Sequence, residues 1–368
     1  MASESSRGSL STPLCDLLGV RYPVIQAPMA GGWTTPELVS AVSNAGGFGS
    51  LAGAGVPPER LREEIRAVKV RTDRPFAVNF LLAPPGPGSH DVAAVQRFLD
   101  GFRERFDLPP GETELESPSF SLQEQLEVVF EERVPVLSVA LGDPGELVVR
   151  AHEDDMLVVS MVTTVADAVR AADGGVDVVV AQGAEAGGHR SVVELGSDGE
   201  PPLVGTLALA PQVVDAVGVP VVAAGGIVDG RGLVAALALG AAGVQMGTRF
   251  LLARESGAHP AYRRRLISAT ETDTVVTRVF TGRPARGLRN HFVEEYLSAG
   301  SEPLAWPLQR AAAGDIYRAS QAADDGDYSP LLAGQALRML EEDGQGAAGI
   351  VEEIVAEAGT VLSRLAAP

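Results

Sequence analysis

One repeated pattern constrains this chain more than any other: a short apolar run with strand character, followed by a stretch of helical period. Eight such runs occur, Pro23–Met29, Phe48–Gly53, Phe76–Leu82, Val134–Leu141, Met156–Val162, Val176–Gly183, Pro220–Gly226 and Gly243–Phe250. Each is apolar on both alternating faces, as parallel strands covered on both sides must be. Helices are predicted over Thr35–Ala45, where Pro36 suits a first turn, over Thr164–Ala172 and over Gly230–Leu239. Eight β-then-α units predict an α/β fold, a (β/α)8 TIM barrel rather than an open sheet. A doubly wound sheet would place a GxGxxG turn after its first strand, and Ala30-Gly31-Gly32 stands there instead.

Two segments exceed a minimal barrel. Between the third and fourth runs lie 51 residues, 83–133, opening with APPGPGSH, continuing with a predicted helix over Asp91–Phe106 and then the acidic LPPGETELESPS. Such a βα excursion lies at the C-terminal face of a barrel, where lids and pocket walls are built. A surface insertion is the plainer alternative. After the eighth run comes an Arg-rich polar stretch, Ala253 to about Gln321, too long for a loop. The predicted organisation is a barrel over 14–252 plus about 325–366, with a small added subdomain after strand 8 at about 253–324. Helical patterns at Leu331–Leu340 and Ala347–Leu365 would supply the last outer helices.

Composition narrows the chemistry. A formal net charge of −19 repels phosphate backbones and anionic lipid, so neither nucleic acid nor a membrane surface is an expected partner. The charge-free stretch Gly232–Thr248 is short for a membrane span and is broken by Gly240, Gly243 and Gly247. Cys15 is the only cysteine, which excludes an internal disulfide or a multi-cysteine metal site and points to a reducing, cytoplasmic setting. MASESSRGSLSTP shows no apolar signal-peptide core. Lys69 is the only lysine, which removes Schiff-base chemistry elsewhere in the chain. No His/Asp/Glu cluster has metal-ligand spacing.

In a barrel, residues just past the strand C-termini converge on one site. Those positions here are Ala27, Pro28 and Met29; Asn79; Gln182; Gly187, Gly188 and His189; Gly225 and Gly226; and Gln245, Met246, Gly247 and Thr248. Glycine pairs at the seventh and eighth strand ends let backbone N–H groups approach an anion. The helix beginning near Asp229–Arg231 would aim its N-terminus at the same place. Asn79 and Gln182 are carboxamides near strand ends. Their partners are either a planar ring with alternating carbonyl and N–H groups or the neighbouring backbone. His189 follows two glycines at the rim, where a neutral imidazole serves as a base near pH 7. A histidine that merely shapes the loop is the alternative.

QAPMAGGWTTPELVSAVSNAGGFGSLAG, VAQGAEAGGHR, PVVAAGGIVDGRG, GVQMGTRFLLARES and TGRPARGLRN together resemble the nitronate monooxygenases, formerly 2-nitropropane dioxygenases, class I in particular. The resemblance implies FMN across the strand ends. Gly225, Gly226 and Gln245–Thr248 would hold its phosphate and ribityl chain, and Ala27–Met29, Asn79 and Gln182 its isoalloxazine or ribityl chain. Gly187–Gly188 would pass close by. It implies His189 as the active-site base, and oxidation of alkyl nitronates such as propionate 3-nitronate with O2 to a carbonyl compound and nitrite. It leaves room for a homodimer. AGGH and GVQMGTRF-like segments also occur in FMN-dependent enoyl-acyl-carrier-protein reductases, so an NAD(P)H-dependent enoyl or quinone reductase is the alternative. Two departures concern the substrate. Ala140 stands where class I members often carry a second histidine, and Arg310 and Gly314 stand roughly where a tyrosine and a lysine are common.

Overall fold

The computed structural model describes residues 10–84, 91–115, 119–196, 199–340 and 343–367. The apolar runs form eight parallel barrel strands: β1 (Val24–Gln26), β2 (Gly49–Ala52), β3 (Phe76–Leu81), β4 (Val136–Ala140), β5 (Leu157–Val162), β6 (Val178–Gln182), β8 (Val221–Ala224) and β9 (Gly243–Met246). β7 (Gly188–His189) lies outside the barrel and is treated below. The sheet order is β1-β9-β8-β6-β5-β4-β3-β2. A parallel bridge between Ile25 and Phe48 brings the first and last strands together. The buried Gln26 side chain reinforces that seam, with Oε1 accepting from Ser50 N–H at 3.1 Å. The fold is the expected (β/α)8 barrel.

The barrel interior is small and aliphatic, with Ile25, Phe48, Ala77, Val136, Val159, Val178, Val180 and Val222 filling it. Leu14 and Leu18, from the helix Pro13–Leu18, plug its lower end. A Cβ on Gly243 would stand 2.6 Å from Leu14, so that strand start must be glycine for the plug to seat. Outward-facing residues of the same strands pack under the surrounding helices. Leu137, Val139, Val158 and Val179 meet Leu61, Ile65, Leu126 and Leu209 in one continuous cluster. Two-sided burial is why the strand runs carry no polar alternation.

Local chemistry sets the helix starts. Thr35 caps Pro36–Asn44 by accepting from Leu38 N–H, and Thr164 caps Val165–Asp173. Ser121 and Glu124 form a reciprocal capping box at Leu122–Glu131.

Two expectations are corrected. Gly243–Phe250 is a strand only to Met246; the chain then turns at Gly247 into the short helix Thr248–Leu251. Leu331–Leu340 is not a helix. It holds only a single 3₁₀ turn, Leu337–Met339, because its backbone pairs outward: Leu331 O accepts from Leu288 N–H and Gln335 N–H donates to Glu185 O. Ala347–Ala366 is the last outer helix, packed along Gly230–Ala238.

The excursion after β3 and the stretch after β9 share a core of their own. Val95, Leu99 and Phe102 of the helix Val92–Glu104 pack with Phe280, Phe292, Tyr296, Ile316 and Tyr317. The predicted helix over Asp91–Phe106 therefore forms, and it sits on the added segment. Residues 85–90 of the Pro/Gly stretch, His90 among them, lie outside the described residues. A three-stranded antiparallel sheet, β10 (Thr274–Thr277), β11 (Ala285–Leu288) and β7, ties the added segment to the loop after β6.

Candidate active site

The strand ends named from sequence meet at the upper end of the barrel. Ala27 N–H donates to Met246 O at 2.8 Å, which ties the Ala27-Pro28-Met29 turn to the end of β9. Gly247 lies against the same turn: a Cβ there would be 3.6 Å from Ala27 Cβ and 3.9 Å from Met29 Sδ. A small polar cavity lined by Gly19, Arg21, Asn44 and Arg74 precedes β1, β2 and β3, at the opposite end, and is no part of this site.

The two glycine turns are built for close approach. Gly225 and Gly226 have φ of +114° and +70°. A Cβ on Gly225 would stand 2.9 Å from both Ala186 N and Thr206 Oγ1. The N–H groups of Gly225, Gly226, Gly247 and Thr248 make no hydrogen bond among the described residues. Gln245, only 6% exposed, likewise has no partner for its carboxamide there. Gly226 is exposed and Gly225, Gly247 and Thr248 are half-buried, so this cluster of donors stands open at the strand ends, where a ligand with acceptor oxygens can reach it.

The helix after β8 does not contribute as expected. Gly230 N–H donates to Glu357 at 2.8 Å and Gly232 N–H to Asp229 at 3.0 Å. The helix Ala347–Ala366 covers its first turn so closely that a Cβ on Gly230 would stand 2.3 Å from Ala358 N. Two carboxylates occupy the end that sequence reasoning assigned to an anion.

Asn79 Nδ2 donates to Ser138 Oγ at 2.9 Å across β3 and β4. The Gln182 carboxamide is taken at both ends by backbone: Nε2 donates to His189 O and Oε1 accepts from Ser191 N–H, each at 2.9 Å. The fully buried Arg190 donates to Gly183 O at 2.7 Å and Gln182 O at 2.9 Å. The loop after β6 is thus fastened around its own strand end, and His189 is what it presents.

His189 sits in β7, paired with Ala285 of β11. Its Nε2 is 2.9 Å from Thr281 Oγ1, and Trp306 meets the ring edge-on at 5.4 Å between centroids. Loss of hydration pushes its pKa down to about 4, with the Arg310 and Arg283 charges adding to the effect. The other described histidines stand elsewhere: His152 beside Asp177, His259 as a helix N-cap, His291 beside Glu295.

The surroundings are cationic in a chain of net charge −19. Arg283 donates to Val192 O at 2.7 Å and Arg286 to Ala184 O at 2.8 Å, both nearly buried. Burial first, then Arg286, holds Arg190 down to about 10. Glu185, the nearby carboxylate, is engaged by Thr206 N–H and Oγ1 at 2.8 and 2.9 Å. The geometry therefore offers one neutral imidazole, a set of free N–H donors and a surplus of positive charge. That combination stabilises an anion and can accept a proton from carbon.

Sequence reasoning missed two contributors. Ala333-Gly334-Gln335 closes over the loop after β6: Gly334 N–H donates to Thr248 Oγ1 at 3.0 Å, and a Cβ on Gly187 would strike Ala333 C at 2.6 Å. Thr281 anchors His189 from 92 positions away.

The model of the nitronate monooxygenase family matches residues 11–357. The chain belongs to the nitronate monooxygenase family. It is 38% identical over 363 residues to a probable nitronate monooxygenase of Staphylococcus saprophyticus, covering 96% of this chain and 99% of that one. A relative of the same description from Staphylococcus haemolyticus is 35% identical over 358 residues, covering 95% and 98%. Among solved structures, nitroalkane oxidase from Streptomyces ansochromogenes superposes with a TM-score of 0.87 at 35% identity, covering 96% and 99%. FabK from Thermotoga maritima gives 0.76 at 31% identity, covering 96% and 98%. As a nitronate monooxygenase family member, this chain is an oxidoreductase. Among the described residues no helix is long and apolar enough to cross a membrane, and no cluster of three or more His, Cys, Asp or Glu is placed to hold a metal.

In this nitronate monooxygenase family member, the three positions singled out in the sequence for the substrate are Ala140, Arg310 and Gly314. Ala140 shares a strand face with Ser138 and Val136, the interior face of β4, and leaves only a methyl there. Arg310 is exposed near the start of the helix Leu308–Ala322, and Gly314 lies one turn on.

Proposed function

We propose that this enzyme binds FMN across the upper strand ends and oxidises alkyl nitronates, propionate 3-nitronate among them, with O2 to a carbonyl compound and nitrite. The observation that carries the reading is the pairing of a half-open neutral His189 with unused N–H donors at Gly225, Gly226, Gly247 and Thr248. The residues fit FMN: those donors suit its phosphate, the unpartnered Gln245 its ribityl or ring oxygens, and Ala27–Met29, Asn79 and Gly187–Gly188 line the approach. Gln182 acts in this reading through the loop it holds. The chemistry that FMN supplies when bound is acceptance of electrons from a nitronate and their passage to O2.

The chain's own part follows from charge and position. Arg283 and Arg310 favour a nitronate anion near His189 over its neutral parent. His189 takes the proton when the substrate arrives as a neutral nitroalkane. Trp306 walls one edge of the ring and limits water beside it. The chain works in this reading as a cytoplasmic enzyme on small molecules.

Likeness to FabK favours a second reading, reduction of an enoyl or quinone substrate with NAD(P)H. Anaerobic absorbance titration separates the two. Flavin bands that bleach with propionate 3-nitronate but not with NADH or NADPH support the oxidase. Bleaching with the nicotinamide alone would replace it with the reductase, and a colourless protein that takes up no FMN would remove both.

A further inference from the structure

The hydrogen-bond chain behind His189 has a direction. Nε2 lies 2.9 Å from Thr281 Oγ1, and that oxygen lies 3.3 Å from the carbonyl oxygen of Arg283. Arg283 N–H points back at Thr281 Oγ1 from 3.4 Å. A hydroxyl has one proton to give, and a carbonyl only accepts. Arg283 is nearly buried, and Thr281 is the donor its carbonyl finds among the described residues. Were Thr281 to donate to the imidazole instead, that carbonyl would be left unpaired in the interior, an unfavourable state for a buried acceptor. With the proton on the Arg283 side, Thr281 Oγ1 accepts from Nε2–H and every group in the chain is matched. Nδ1 makes no hydrogen bond among the described residues and is not sealed from solvent.

We propose that Thr281 is a positioning residue that holds neutral His189 as its Nε2–H tautomer and so makes Nδ1 the atom that receives the substrate proton. The second half of that statement rests on the nitronate-oxidising function proposed above; the first half does not. In the step itself the C–H proton of a neutral nitroalkane passes to Nδ1. The C–H electron pair moves into the nitro group and leaves a nitronate. The imidazolium keeps Nε2–H on Thr281, so the ring need not turn between its two protonation states. The charged groups facing the ring, Arg283 and Arg310, are both cations and favour its neutral form before the transfer.

Imidazole nitrogen NMR of the uniformly 15N-labelled enzyme as purified reads this directly. Five histidines give a tractable spectrum, and His189→Asn assigns the signal. At pH 7 the expected pattern has a protonated Nε2 and an unprotonated Nδ1. Thr281→Val should mix or invert the tautomers, and Thr281→Ser should restore the original pattern. With substrates, Thr281→Val should lose at least tenfold more kcat on a neutral nitroalkane than on its preformed nitronate. An Nδ1–H tautomer in the unaltered enzyme overturns the proposal, as does a Thr281→Val ring with unchanged tautomer and titration. The unaltered enzyme's spectrum decides the tautomer even if the valine variant fails to fold. If the tautomer is as expected but no nitroalkane is deprotonated, the role of Nδ1 as base falls.

Discussion

Arg103, on the helix that follows β3, donates through Nε to Asp315 at 2.7 Å, across 212 positions of sequence. Its Nη1 meets Asp100 at 2.8 Å and its Nη2 donates to Ala312 O at 2.6 Å, with the side chain 2% exposed. The pair fastens the excursion to the helix Leu308–Ala322, which carries Arg310 and follows directly on Trp306. The mouth of the site is thus set by two segments that sequence reading treats as separate. Removing the buried guanidinium takes the donor from Asp315 and from Ala312 O, while Asp100 keeps Gly111 N–H at 2.8 Å. Arg103→Met is expected to destabilise the protein by about 3 kcal/mol in urea denaturation. A loss within 0.5 kcal/mol, the usual range for a surface change, would show that the apolar cluster alone holds the two segments together.

Gly188 separates ligand contact from packing. Its φ is +84°, and a Cβ there would meet nothing within 4 Å. Gly188→Ala therefore carries only the backbone cost of a left-handed alanine, about 1–2 kcal/mol. If FMN passes across this residue, its affinity should drop tenfold or more while the ligand-free protein melts only slightly earlier. Equal FMN affinity in the two proteins, read by fluorescence quenching, would place the flavin elsewhere.

The barrel was legible because its strands are buried on both faces, which leaves long apolar runs that no surface strand would carry. Gly225 and Gly226 were legible for a similar reason, since few turns require two left-handed residues in succession. What escaped was decided by distant partners. Leu331–Leu340 has helical spacing, yet its backbone is claimed by Leu288, Glu185 and Thr248. The helix after β8 reads from sequence as an anion site, but Glu357, 127 positions away, takes its first N–H. Gln182 suits a ligand or backbone equally on sequence alone, and in the fold the loop 189–191 takes one amide proton and the amide oxygen. Thr281 stood inside TGRPARGLRN with nothing local to connect it to His189. The Leu-Ala-Gly-Gln stretch at 332–335 carried a faint signal in its glycine, which a close approach to Gly187 explains.

The role of His189 is testable by the substrate's own proton. A neutral nitroalkane must lose one before oxidation, whereas a preformed nitronate has already lost it. General-base catalysis contributes roughly 10²–10⁴-fold. His189→Asn should therefore lower kcat/KM on the nitroalkane by about that factor and lower it much less on the nitronate. Equal losses on both, in steady-state assays with matched flavin content, would make His189 a binding residue instead.

The low pKa of His189 predicts two pH effects with a fixed sign. In the unfolded chain this imidazole titrates near 6.5, and in the fold near about 4, because burial and the Arg310 and Arg283 charges disfavour the imidazolium. Between those values the unfolded chain binds a proton that the folded one does not. Stability therefore falls as pH drops from 6.5 towards 4, and above 6.5 the residue contributes no pH dependence. Denaturation midpoints followed over pH 4–7 should fall less steeply in His189→Asn than in the unaltered protein. The same shift governs activity: the acid limb for a neutral nitroalkane should lie well below pH 6.5, since the base stays unprotonated down to the vicinity of 4. Arg310→Gln removes one of the charges and should move that limb upward, though burial, the larger cause, keeps it short of 6.5. An acid limb at 6.5 in the unaltered enzyme, or one that Arg310→Gln leaves in place, would mean that a different group is the base.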